Sequence, residues 1–129
     1  MASEGLHEAA EAMKPETIDR HRAIVSLMEE LEAVDWYAQR VDATQDPELA
    51  AILAHNRDEE KEHAAMVLEW LRRHDPGWDK QLHDYLFSDK PVLAREAELD
   101  AAEAASEPIL AGAASGSLEI GSLRGERRP

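Results

Sequence analysis

Cysteine is missing from all 129 residues. Its absence excludes a disulfide framework, a thiolate metal site and a cysteine nucleophile. Basic residues are scarce as well: 14 Lys and Arg face 28 Asp and Glu, a formal net charge of −14. That balance argues against nucleic acid and anionic membranes as partners, and it favours cations. No apolar run approaches the ~20 residues of a membrane span, and the acidic N-terminus has no signal-peptide core. A cytoplasmic location is the expectation. What remains for metal chemistry is carboxylate and imidazole, which suit iron, manganese or zinc.

The patterned part of the chain reads as a helical hairpin. From Thr17 to Val41, apolar residues recur with helical spacing at Leu27, Leu31, Val34, Ala38 and Val41. Asp42 to Pro47 interrupts the pattern, with Asp46 as an N-cap and Pro47 at the first position of a new helix. That helix is predicted from Pro47 to His74, its inner side marked by Leu49, Ile52, Leu53, Asn56, His63, Val67, Trp70 and Leu71. Asp75-Pro76-Gly77 ends it. So short a connection makes the two helices antiparallel, and residues whose numbers sum to about ninety lie at one height.

Glu30 and Glu60 meet that condition, and His63 follows Glu60 at the three-residue spacing that puts two side chains on one helix face. Di-iron carboxylate bundles take a lone Glu from one helix and a Glu-x-x-His from another, and use that set twice. This chain carries the set once. Two chains must therefore meet to complete such a site. The competing reading treats Arg57 to His63 as a solvated charge run, with Arg57 or Arg22 paired to the carboxylates. Both Glu30 and Glu60 fall on apolar stripes, where an unpaired charge costs several kcal/mol, and this favours a metal.

Beyond the hairpin, Trp78 to Phe87 reads as a short third helix, with apolar residues at i, i+4, i+7 and i+8. Two long helices and a short one make a poor monomeric core, again pointing to oligomers. The expected organisation is a flexible segment 1–14, an all-α hairpin domain 15–93, a flexible linker 94–116 and a terminal peptide 117–129. The linker is Ala-, Glu-, Ser- and Gly-rich. Past it, Leu118, Ile120 and Leu123 set three aliphatic anchors in a polar tether, with Gly121 and Ser122 between them, as in a docking peptide.

Met28 to Tyr37 (MEELEAVDWY) and His55 to Met66 (HNRDEEKEHAAM) closely resemble the encapsulated ferritins, and the tail Leu118 to Gly125 is similar to the peptide that loads such cargo into encapsulin shells. The resemblance covers roughly Thr17 to Phe87 plus the tail. It implies a ferroxidase with Glu30, Glu60 and His63 as iron ligands, two irons per dimer interface, and Tyr37 entering the site from the partner subunit. Tyr37 lies about 10 Å along the helix from Glu30, too far to share a metal within one chain. The resemblance also implies a metal-entry site of Glu29, Glu32 and Trp36, dimers assembled into an annular decamer, and iron mineralised inside the shell. Two other functions fit the residues. One is a di-iron peroxidase or oxygenase of the ferritin-like group; the other is a non-catalytic acidic adaptor.

Overall fold

The computed structural model describes the backbone of residues 5–117 and the side chains of residues 5–106. It divides into two compact units, residues 1–82 and 83–129.

The first unit opens with a single 3-10 turn, Ala10–Ala12, and is dominated by α1 (Pro15–Ala43) and α2 (Pro47–His74). Both long helices begin with proline, whose fixed φ suits the first turn and whose missing N–H is no loss there. α1 stops at Thr44, the backbone N–H of which donates to Arg40 O at 3.0 Å. Asp46 then caps α2 as anticipated, its side chain accepting from Glu48 N at 2.9 Å and Leu49 N at 3.3 Å. With only Thr44 to Asp46 between them, the helices fold back on each other and pack along their length.

Their shared core is thin. Among the described residues only Ala64 and Leu71 are buried. Leu31 remains 55% exposed, Ile52 51% and Met66 57%. The apolar stripes are wider than one partner helix can cover. Each of these side chains would contribute roughly 1.5–3 kcal/mol if fully buried, so the surface is poised to gain from a further partner.

α3 (Pro76–Tyr85) starts directly after Asp75, whose side chain accepts from Gly77 N at 2.9 Å. Its first turns are tied to α2 by Arg72, which donates to Glu69 at 2.8 Å and also reaches Asp79. Hydrogen bonds from Arg72 and Arg73 hold the Glu69 carboxyl down to about 2. Arg20 of α1 lies 4.0 Å from Asp75 at the same end. The short third helix read from Trp78 to Phe87 is therefore present, shifted two residues earlier by the Asp75 cap.

The second unit holds the end of α3, a turn, and α4 (Val92–Ser117). Phe87 takes φ 63°, a left-handed conformation uncommon for an aromatic, and its side chain is fully exposed. Lys90 N donates to Ser88 Oγ, and Arg95 Nε donates to the Asp84 carbonyl at 2.7 Å. The residues expected to form a flexible linker, 94–116, whose Ala/Glu-rich half can turn helical, lie within α4. Ala and Glu are among the best helix formers, and this segment is rich in both. No side chain of α4 among those described is buried. The terminal peptide, with Leu118, Ile120, Gly121, Ser122 and Leu123, lies outside the described residues. No helix among the described residues is long and apolar enough to cross a membrane.

Candidate metal centre

Helical register brings one side chain of α1 against two of α2. His63 Nδ1 lies 3.0 Å from Glu60 Oε1 on its own helix and 3.8 Å from Glu30 Oε1 on the other. One ligand atom from each of Glu30, Glu60 and His63 falls within 4.8 Å of the others. Among the described residues this is the one group of three such side chains drawn together. All three are half-buried, so the cluster sits at the margin of the hairpin with one side open.

The charges respond to each other. A hydrogen bond to Glu60, then desolvation, raises the Glu30 carboxyl above its ordinary value. Glu60 moves the opposite way, lowered by its hydrogen bonds with Glu30 and then His63. His63 is raised, chiefly by its hydrogen bond to Glu60, and further by the negative charge of both carboxylates. Because a metal takes the deprotonated carboxylate and the neutral imidazole, a cation at this cluster competes with protons for the same atoms. Two carboxylates and an imidazole form a hard-to-borderline donor set, which fits iron.

The alternative pairing with arginine is not what forms. Arg57 turns to Asp58 at 3.1 Å and Arg22 to Asp19 at 2.7 Å, leaving the two glutamates to each other and to His63. Tyr37 is half-buried on α1 and stands outside the cluster, as its distance along the helix requires. Glu29 is exposed, Glu32 half-buried and Trp36 exposed, and the two acids form no ligand group with other residues among those described. Arg40 carries no motif that marks it in the sequence. Its guanidinium lies over the Tyr37 ring, 5.5 Å from the centroid. The only signal for it was the three-residue spacing from Tyr37.

A family model described as EncFtn-like matches residues 5–89, the hairpin and α3 together. This chain belongs to the EncFtn-like family. An encapsulated ferritin-like protein of Rhodospirillum rubrum is 61% identical over 128 residues, covering 97% of this chain and 91% of the relative. A ferritin-like protein of Thermotoga maritima is 55% identical over 92 residues, 71% of this chain and 81% of the relative. A shorter match, 49% over 47 residues and 36% of each chain, is to the encapsulin nanocompartment cargo protein EncC of Myxococcus xanthus. The crystal structure of protein ne0167 from Nitrosomonas europaea has a TM-score of 0.66 and 66% identity, covering 68% of this chain and 97% of that one. The likeness to encapsulated ferritins read from Met28–Tyr37 and His55–Met66 is borne out by these relatives, and so is the all-α hairpin with a short third helix.

Proposed function

We propose that this EncFtn-like chain is a ferroxidase, oxidising Fe(II) to Fe(III) with O₂ at a di-iron site shared by two copies. The observation that carries it is the convergence of Glu30, Glu60 and His63, with ligand atoms within 4.8 Å, on a hairpin that buries only two side chains. The chain supplies half of the di-iron donor set and half of a bundle core. A two-fold axis supplies the rest of both. Glu60 from each copy would hold both irons, with Glu30 and a neutral His63 nitrogen as the further ligands that each copy would supply.

Iron is the substrate here. Fe²⁺ takes the deprotonated carboxylates and a neutral imidazole, so its entry competes with protons at Glu30 and His63. Each Fe²⁺ gives up one electron, and a pair of irons passes two to O₂, which leaves with two protons at the level of hydrogen peroxide. Tyr37 of the second copy approaches the site, and Glu29, Glu32 and Trp36 lie on the route of entering cations. Dimers assemble into a ring of five, an annular decamer. The oxidised iron moves on to be mineralised, because a two-helix hairpin encloses no storage cavity.

Compartmentation follows from the tail. Leu118, Ile120 and Leu123, with Gly121 and Ser122 between them, dock on an encapsulin shell and place the ferroxidase inside it. Support comes from the relatives' names, one an encapsulated ferritin-like protein and one an encapsulin nanocompartment cargo protein. The decisive experiment is Fe²⁺ oxidation by the full chain, followed by oxygen consumption. Glu60→Ala removes a bridging ligand from both irons, and the rate is expected to fall about a hundred-fold or more. A near wild-type rate in an assembled Glu60→Ala protein would sink the assignment.

A further inference from the structure

Arginines on the two long helices follow a rule with one exception. Arg20 lies by Asp75, Arg22 by Asp19, Arg57 by Asp58, and Arg72 and Arg73 by Glu69, each within 4.0 Å. Arg40 has no carboxylate partner among the described residues. In a chain with 28 acids and 14 bases, an arginine without an acid is the unusual outcome. The nearby Asp35 is engaged by Gln39, which donates to it at 3.1 Å. Arg40 instead lies over the Tyr37 ring, 5.5 Å from the centroid, within the distance at which a cation is held by an aromatic face.

We propose that Arg40 is a positioning residue for Tyr37, its guanidinium over the ring fixing where the phenol oxygen points. The proposal rests on the reading that Tyr37 enters the iron site of a second copy. Tyr37 is only half-buried, so packing within one chain leaves its ring other orientations. A planar cation on one face narrows them. The three-residue spacing on α1 places both groups on one side of the helix before any second chain arrives. The phenol is then preorganised rather than ordered at assembly, which is where a positioning group gains its effect.

A plainer role for Arg40 also exists, as the basic residue in the last turn of α1, where it complements the helix dipole. The test must separate the two. Arg40→Gln, Tyr37→Phe and the double variant are made in the full chain, and each is checked for assembly by sedimentation. The kcat and KM for Fe²⁺ oxidation are measured for all four proteins. Phenylalanine keeps the ring and removes only the hydroxyl, so it isolates what Arg40 would be aiming. Arg40→Gln is expected to lower kcat about two- to five-fold with KM for Fe²⁺ unchanged. In the Tyr37→Phe background the same change should have no further effect on kcat, because neighbours acting as one unit are non-additive. Arg40→Lys, which keeps the charge at the helix end but not the planar group, should keep thermal stability and recover only part of kcat.

The two readings fail differently. If Tyr37→Phe slows oxidation but Arg40→Gln does not, Tyr37 keeps its place and the positioning role of Arg40 is overturned. An equal loss from Arg40→Gln in both backgrounds also overturns it, since Arg40 would then act without the phenol. If Tyr37→Phe leaves kcat untouched, the Tyr37 reading fails, and the role of Arg40 fails with it.

Discussion

The hairpin and α4 are both long helical structure, built on opposite terms. α1 and α2 carry apolar stripes too wide for each other, plus three side chains able to hold a metal, drawn together across their contact. α4 is an Ala- and Glu-rich helix with no buried side chain among those described. One is helical because it packs, and it leaves apolar surface uncovered. The other is helical through propensity and local bonds such as those from Arg95 to Glu98 and to the Asp84 carbonyl. Under the proposed function, chemistry and assembly belong to the first unit, and the docking peptide follows the second.

The sharpest way to break this contrast is to cut in each half. Glu30→Ala or His63→Ala should abolish fast Fe²⁺ oxidation, about a hundred-fold or more, while helical circular dichroism persists. Deleting residues 118–129 should leave that oxidation unchanged and abolish co-purification with a co-expressed encapsulin shell. If the tailless protein is still packaged, recognition lies on the hairpin and the division of labour is wrong.

Next in size is packing. Leu71 is the fully buried large side chain, and Leu71→Ala should cost the assembled protein about 2–5 kcal/mol in denaturant unfolding. A cost under about 1 kcal/mol would mean the site collapses freely and the hairpin contact is looser than described.

Acidity gives a subtler probe of the site. His63 is held above its ordinary value by its hydrogen bond to Glu60, so the fold favours its protonated form. That contribution is complete below about pH 6.5 and is lost as pH rises through the raised folded value. The shift of Glu30 is also upward and acts in the same sense at lower pH, whereas the lowered Glu60 contributes in the opposite sense, being lost as pH falls. Metal-free protein should therefore lose some stability as pH rises above about 6.5, while its affinity for Fe²⁺ or Zn²⁺ rises over the same range. Calorimetry across that range checks both slopes. Affinity that is flat in pH would show that no proton leaves His63 on binding.

The smallest expected effect belongs to α4. Ala101→Gly should weaken that helix by about 0.5–1 kcal/mol, seen as faster amide exchange nearby, without moving the unfolding midpoint of the hairpin. A shift in the hairpin midpoint would show that α4 contributes to the core.

These contrasts also explain what could be read from the residues alone. The bounds of α2, the Asp46 cap and the meeting of Glu30 with Glu60 and His63 were legible, because burying a face leaves a periodic signature and a short turn fixes register. α4 left no such signature. Its helix has no face to bury, so a reading based on apolar periodicity took it for a flexible linker. Leu31 and Ile52 were read as inward and are more than half exposed, since the stripe records the surface an assembly would cover as well as the contact within one chain. Arg40 over Tyr37 was invisible for another reason: rotamer choice, not spacing alone, decides which aromatic or acid a long cation finds.

The central claim, a half-site completed by a second copy, is tested most directly by counting iron and chains together. Metal-free protein is titrated with Fe²⁺ under anaerobic conditions and examined by native mass spectrometry. The account predicts one iron per chain, bound in pairs on species with an even number of copies, with larger assemblies growing as iron is added. Iron held by single chains as tightly as by pairs, or no stoichiometric iron at any assembly state, would contradict it.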